Sequence, residues 1–348
     1  MKLLAGGDVF IGGRMRSLME KGRLSEVLES LAPLLASADL AVANFEAAIG
    51  EGDLVGRGEE RLVSPPETPQ LLKAAGLQVL GLANNHALDL GEEGLRRTIE
   101  ALQSAGILTV GAGTTDEQMV RPLVRPRGLD LAFLAYFGSN RRLGRGGTNG
   151  APLEMAVSEI QAARRQCPNV IVMLHWGRAD QLHPTAGQVQ MAHELIDSGA
   201  VAVLGSGPHC LLPIERYRHG VIAYSLGNLA FDMRPSRRRL SCLLQFELLE
   251  GAVGKVEAHP ILIDADFRSR LLKGDAEHEK QLSVQSLVVN GLSEVSPDSL
   301  AARRTLRRFG ENPGLWIARR LRRDRRANTL SDYANSLLAI IRETFWRK

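Results

Sequence analysis

Cysteine is scarce in this sequence: three residues in 348, Cys167, Cys210 and Cys242, odd in number and far apart. That argues against a disulfide framework and against a cysteine-built zinc cluster, and it fits a reducing, cytosolic compartment. Long apolar runs are also missing, and no stretch approaches the roughly 20 residues of a membrane-spanning helix. The N-terminus has no basic segment, apolar run and cleavage site in series, so the expectation is a soluble, unexported chain. Charge of one sign is in small excess, +4 from 43 Lys and Arg against 39 Asp and Glu. So small an excess selects no partner, and no nucleic-acid-binding module accompanies it. Internal repeats and long low-complexity tracts are absent. What remains, at 44% hydrophobic, is a chain able to bury a large core in one α/β domain, with or without an appendage.

The pattern within that core is β/α layering. Short apolar runs at Leu3 to Ala5, Leu40 to Ala43, Val79 to Ala83 and Leu108 to Val110 alternate with helical stretches at Leu24 to Leu35, Pro69 to Ala75 and Glu92 to Ala105. Gly76 and Gly106 fit helix stops. Leu95, Ile99 and Leu102 give the last helix an apolar stripe. A strand pair follows, Leu123 to Arg125 with Leu129 to Tyr136, then a glycine and arginine loop from Gly138 to Gly150. Arg141, Arg142 and Arg145 in that loop can receive an anion, but the phosphate-loop lysine pattern is missing and a solvated loop is the simpler reading. Strands at Val170 to Leu174 and Val201 to Leu204 flank a helix at Gln188 to Asp197. Strands at Ile222 to Ser225, Cys242 to Leu249 and Lys255 to Leu262 have no helical pattern between them. The expectation is sheet packed on sheet with helices outside, in a domain over residues 1–270. Residues 271–348 read as an Arg-rich helical extension, with helices at Pro297 to Arg308, Pro313 to Arg326 and Leu330 to Trp346.

Oxygen and imidazole donors recur where strands end, the place at which open α/β sheets bind ligands. Asp8 follows the first strand, Asn44 and Glu46 the second, and Asn84, Asn85 and His86 the third, at the expected start of a helix. Later strands are followed by His175, His209, Asn228 and Asp232. Carboxylates, amides and imidazoles without thiolates suit Mn, Fe or Zn. One or two such ions would serve phosphoester hydrolysis. His183, His193, His219, His259 and His278 carry no motif and read as surface or packing residues.

In order along the chain, these segments resemble the CapA-like family of poly-gamma-glutamate capsule biosynthesis. They are Gly7-Asp8-Val9, Asn44-Phe45-Glu46, Ala83-Asn84-Asn85-His86 with Asp89 and Gly91, His175-Trp176-Gly177 with Pro184 and Gln188, Pro208-His209, and Ser225-Leu226-Gly227-Asn228. The resemblance spans about residues 2 to 232. It implies a calcineurin-like metallophosphatase fold, a four-layer αββα sandwich. By the same resemblance Asp8, Glu46, Asn85, His175 and His209 are metal ligands, with Glu46 a bridging carboxylate. His86, beside Asn85, is the catalytic proton donor, a role that suits an imidazole at neutral pH. Arg14, Asn44, Asn84 and Asn228 are expected to bind substrate.

Two departures stand against the pattern. Gly207 occupies the family's histidine position two residues before His209, and Ala179 occupies the glutamate position after His175-Trp176-Gly177. Asp180, Ser206, Cys210 and His183 are the nearby groups able to compensate. The expectation is therefore a metal-dependent phosphoesterase-like hydrolase of cell-surface polymer synthesis, with a catalytically degenerate binding or accessory protein as the alternative. The substrate would be a small anion or a polymer. Arg303 with Arg307, Arg304 with Arg308, and Arg319 with Arg323 lie one helical turn apart; a solvated basic face is the simpler reading, and a face for anionic lipid the alternative. Localisation is expected to be cytoplasmic, with peripheral attachment at the inner membrane face.

Overall fold

The computed structural model describes residues 1–51, 61–124, 126–138, 147–148, 150, 152–233, 238–273 and 287–290. The expected C-terminal helices, their arginine faces, and Arg141, Arg142 and Arg145 lie outside these residues.

Two large sheets carry the fold. The first has eight strands, in spatial order Ser269–Leu271, Ala252–Ile263, Leu240–Leu249, Lys2–Val9, Leu40–Phe45, Val79–Gly81 and Leu108–Val110, with Asn228–Ala230 also pairing with Lys2–Val9. The second has seven, in order Val288–Asn290, Ile214–Tyr217, Gly220–Ala223, Ala200–Ser206, Asn169–His175, Leu131–Phe137 and Leu123–Val124. Both are parallel at their centres, and those strands are buried along nearly their whole length, as a sheet covered on both faces requires.

Three apolar clusters define four layers. Leu3, Val42 and Val79 of the first sheet pack with Phe133, Ile171, Leu204 and Val221 of the second, which makes the sheet-to-sheet core. The opposite face of the first sheet meets Leu18, Val27, Leu28, Leu35, Leu72 and Leu102 from the helical segments between its strands. The opposite face of the second meets Ala156, Ile160, Leu195 and Ile196 of helices Leu153–Arg164 and Ala186–Asp197. Alternate residues of one strand serve different faces, Leu3 and Ala5 inward, Leu4 outward, because strand side chains alternate. Each fully buried Leu, Ile, Val or Phe contributes roughly 1.5–3 kcal/mol of transfer free energy. The expected αββα sandwich is the observed one.

Local signals explain most boundaries. Gly76 and Gly106 both stand at positive φ after helices Thr68–Ala74 and Gly91–Ser104. In each case the next residue's N–H reaches back to a carbonyl of the last turn, Leu77 to Leu72 and Ile107 to Leu102. The stretch read as one helix from Leu24 to Leu35 is two short ones, Glu26–Glu29 and Ala32–Ala36, and Pro33 opens the second. Asn84 to Leu90 is a run of turns, and the helix begins only at Gly91, whose φ of 70° sets the corner. Strand Val288–Asn290 pairs in parallel with Ile214–Tyr217 and so extends the second sheet. Among the described residues no helix is long and apolar enough to cross a membrane.

Candidate metal centre

The site forms where parallel strands of both sheets end. In the first strand the pairing register shifts between Ala5 and Asp8, across Gly6-Gly7. A Cβ on Gly7 would lie 1.9 Å from the Gly227 carbonyl oxygen, so only glycine admits that backbone. The close approach lets the Asp8 N–H donate to Gly227 O and sets Asp8 opposite both Asn44 and Asn228. The Glu46 N–H donates to Val9 O, which fixes the residue just past the second strand. His175 ends the Asn169–His175 strand opposite Ser206, and His209 sits on the following turn with φ of 57°, an uncommon left-handed conformation for a non-glycine residue.

Three imidazole Nε2 atoms surround one carboxylate oxygen. Glu46 Oε1 lies 3.5 Å from His175 Nε2, 3.8 Å from His209 Nε2 and 3.9 Å from His86 Nε2. Asp8 lies 3.7 Å from His175 Nδ1 and 3.4 Å from His209 Nδ1. Both carboxylates are buried, at 0% and 1% exposure. Burial acts to raise Asp8, but the His175 and His209 imidazoles facing it outweigh that and hold its carboxyl well below the usual range. Glu46 is raised, chiefly by burial. Burial also acts to lower the imidazoles, but Glu46 and Asp8 overcome it; His175 is raised and His209 is pushed up to about 9.

A second layer of polar groups orients these donors. Asn44 Nδ2 donates to Asp8 Oδ1 at 2.8 Å and lies 3.2 Å from His175 Nδ1, and Ser206 Oγ lies 3.0 Å from the same nitrogen. Asn228 Oδ1 is 3.0 Å from His209 Nδ1. His86 Nδ1 is 2.8 Å from Asp89 Oδ2, which turns its Nε2 toward Glu46. Asn84 Nδ2 donates to Phe45 O at 2.8 Å, and its Oδ1 accepts the His86 N–H.

The donor set fits a divalent cation. One ligand atom each from Asp8, Glu46 and His175 falls within a 4.8 Å spread, His209 presents Nε2 to the same carboxylate, and the buried Glu46 Oε2 has no protein partner. A buried carboxylate oxygen without a donor is costly unless something cationic or hydrogen-bonding meets it. Imidazoles whose second nitrogen is tied to an outer oxygen are the usual arrangement at metals.

The expected site residues divide into three groups. Asp8, Glu46, His86, His175 and His209 converge as described. Asn44, Asn84 and Asn228, expected to bind substrate, are 6%, 0% and 0% exposed, with their amides engaged by Asp8, the Phe45 carbonyl and His209. They stand behind the centre and hold it. Asn85 and Arg14 are exposed; the Arg14 N–H donates to Asp232 Oδ2 at 2.9 Å and its Nη1 to Asp232 O. Sequence reasoning gave no role to Arg238, whose side chain binds Asp180, nor to buried Glu215, which accepts from Tyr224 Oη and faces His193 Nε2. Both join residues far apart in the chain, and no local signal marks them.

The family departure at Gly207 is built in. A Cβ there would stand 2.7 Å from Trp176 O and 3.2 Å from His175 Nε2, and φ is 105°. Its N–H donates to Asp8 Oδ2 at 3.0 Å, so the main chain fills part of the space a side chain would claim.

Layer order and buried centre together define an αββα protein with a cluster of carboxylates and imidazoles at the strand ends of its two sheets. The chain belongs to the bacterial capsule synthesis protein family PGA_cap, whose sequence model matches residues 2–233, a span holding every convergent residue above. It is similar to the PGA biosynthesis protein CapA of Bacillus subtilis strain 168, 29% identical over 264 residues, 73% of this chain and 70% of that one. The capsule biosynthesis protein CapA of Bacillus anthracis is 28% identical over 271 residues, 74% of this chain and 66% of its own length. The chain thus spans about two-thirds of the length of these relatives. A probable polyglutamine synthesis accessory protein of Mycobacterium tuberculosis is 32% identical over 241 residues, 61% and 59% of the two chains. Among solved structures, a 5'-nucleotidase from Candida albicans aligns with TM-score 0.42 at 10% identity, over 88% of this chain and 56% of that one. That likeness is too distant to carry function.

Proposed function

We propose that the chain is a metal-dependent phosphoester hydrolase serving synthesis of a cell-surface polymer of the poly-gamma-glutamate type. The observation that carries this reading is the convergence of three imidazole Nε2 atoms on Glu46 Oε1 beside an unpartnered Oε2. Asp8, Glu46, His175 and His209 would hold Mn, Fe or Zn, which when bound supplies Lewis-acid polarisation of a phosphoryl oxygen. Asn44, Ser206 and Asn228 orient the holding groups. His86 acts beside them. Asp89 binds its Nδ1, so Nε2 is the atom that gives a proton to the departing oxygen, and its side chain, 18% exposed, can reach substrate. The substrate is an anionic small molecule or polymer, and the Arg-rich C-terminal segment is proposed to meet an anionic membrane face from the cytoplasmic side.

A second reading has its own observation. Gly207 leaves no room for a side-chain ligand and Asn85 is exposed, which favours an accessory protein that binds without turnover. Elemental analysis of the purified chain, with hydrolysis of a phosphomonoester and a phosphodiester with and without Mn2+, separates the two. Bound metal and metal-dependent turnover support the hydrolase; bound metal without turnover supports the accessory protein. Absence of tight metal together with absence of turnover defeats the metal centre.

A further inference from the structure

His209 is useful to a cation only if its Nε2 carries the lone pair, so Nδ1 must hold a proton and donate it. Nδ1 faces Asn228 Oδ1 at 3.0 Å. An amide side chain presents an oxygen on one side and an NH2 on the other, and which way it lies is decided by the group that meets its far end. Here that group is the Arg238 carbonyl, which accepts from Asn228 Nδ2 at 2.9 Å. A carbonyl cannot donate, so the NH2 must face it and the oxygen must face His209.

The position of the Arg238 backbone therefore bears on the His209 imidazole, and a fork of hydrogen bonds sets that position. Arg238 Nε donates to Asp180 Oδ1 at 2.6 Å and Nη2 to Asp180 Oδ2 at 2.7 Å, while Nη1 meets Met233 Sδ at 3.0 Å. Such two-point pairs fix orientation as well as distance. Asp180 is anchored in turn. It stands at φ of 65°, and its N–H donates to Pro208 O at 3.0 Å, one residue before His209. The pair is partly shielded, its side chains 18% and 31% exposed, so it is not the freely solvated kind that contributes little. Asp180 thus touches the His209 turn from one side and, through Arg238 and Asn228, the His209 ring from the other.

We propose that Asp180 and Arg238 are positioning residues that hold His209 with Nδ1–H on Asn228 and Nε2 directed into the metal centre. This rests on the metal reading for its purpose, while the geometry it asserts exists in the metal-free chain.

The test uses the full chain stripped of metal. Proton NMR follows the His209 Nδ1–H, which the Asn228 acceptor protects from exchange with water, and Asn228→Ala identifies the resonance by losing it. In Asp180→Asn and Arg238→Gln the exchange rate of that proton should rise about tenfold or more, while backbone amides of the Asn169–His175 strand keep their protection. Arg238→Lys retains the charge without the fork and should behave as Arg238→Gln does; it also serves if the glutamine variant folds poorly. Mn2+ affinity should fall by about 10- to 100-fold in either single variant. The double variant should be no worse than the singles, because both break one linkage. Unchanged exchange of the Nδ1–H in Asp180→Asn and Arg238→Lys overturns the proposal. Should the unaltered chain bind no Mn2+, the metal reading fails, and the exchange data alone decide whether the clamp exists.

Discussion

The two sheets contribute opposite chemistry to one centre. Strand ends of the first bring Asp8 and Glu46, the amides of Asn44, Asn84 and Asn228, and one imidazole, His86; the second brings Ser206 and the two more deeply buried imidazoles, His175 and His209. Neither half is stable by itself in this arrangement. Buried carboxylates without the imidazoles face an unrelieved desolvation cost, and the imidazoles would be lowered rather than raised. The opposing shifts of Asp8 and His209 record that dependence. Sheet packing brings the halves together, so the apolar core between the sheets is also what assembles the site.

Removing the shared carboxylate should break the comparison most severely. Glu46→Gln takes away the negative charge that all three imidazoles face and puts an NH2 where one carboxylate oxygen stood, and Mn2+ affinity measured by calorimetry should fall by about 100-fold or more, beyond the usual cost of losing an outer-layer partner. His86→Asn tests the claim that this imidazole acts beside the metal. Turnover should drop by about 10²–10⁴-fold with Mn2+ binding nearly unchanged. Acidity probes the charge balance itself. In the metal-free chain, His209 contributes stability that is fully present below about pH 6.5 and is lost as pH rises through about 9. Glu46, raised by burial, acts in the same direction, whereas the contribution of Asp8 is present above its ordinary 3.8 and is lost as pH falls further. Melting temperature in chelator should therefore decline between pH 6.5 and 9, and added Mn2+ should flatten the decline. The smallest effect concerns the thiols. Cys242 is buried and its pKa is pushed up to about 12, so iodoacetamide at pH 8 should leave it unmodified until the chain unfolds.

Layering, helix stops and the convergent polar side chains were legible because each leaves a local mark. Apolar runs of strand length, glycine after a helix and polar residues at strand ends are properties of neighbours in the chain. Asn84 and Asn228 were expected to bind substrate, and the structure buries both, with the Asn84 amide on the Phe45 carbonyl and the Asn228 amide on His209. A polar residue beside a ligand looks the same in sequence whether it faces substrate or holds the ligand from behind, and only burial separates the two. The Leu24 to Leu35 stretch was read as one helix because its apolar spacing runs on through Pro33, where the structure divides it. Arg238 carries no mark in the sequence, because its guanidinium lies against a residue 58 positions earlier.

The order of donor types along the chain, and the alternation that places them at strand ends, were determined by sequence alone. Periodicity and side-chain chemistry do not depend on what lies across the fold. Distance, burial and direction were decided by the tertiary structure: that His175 and His209 face the same oxygen of Glu46, that the Gly207 main chain takes up Asp8 Oδ2, and that Arg238 reaches Asp180. Those contacts join segments far apart in the chain, and they exist only once the core between the two sheets has closed.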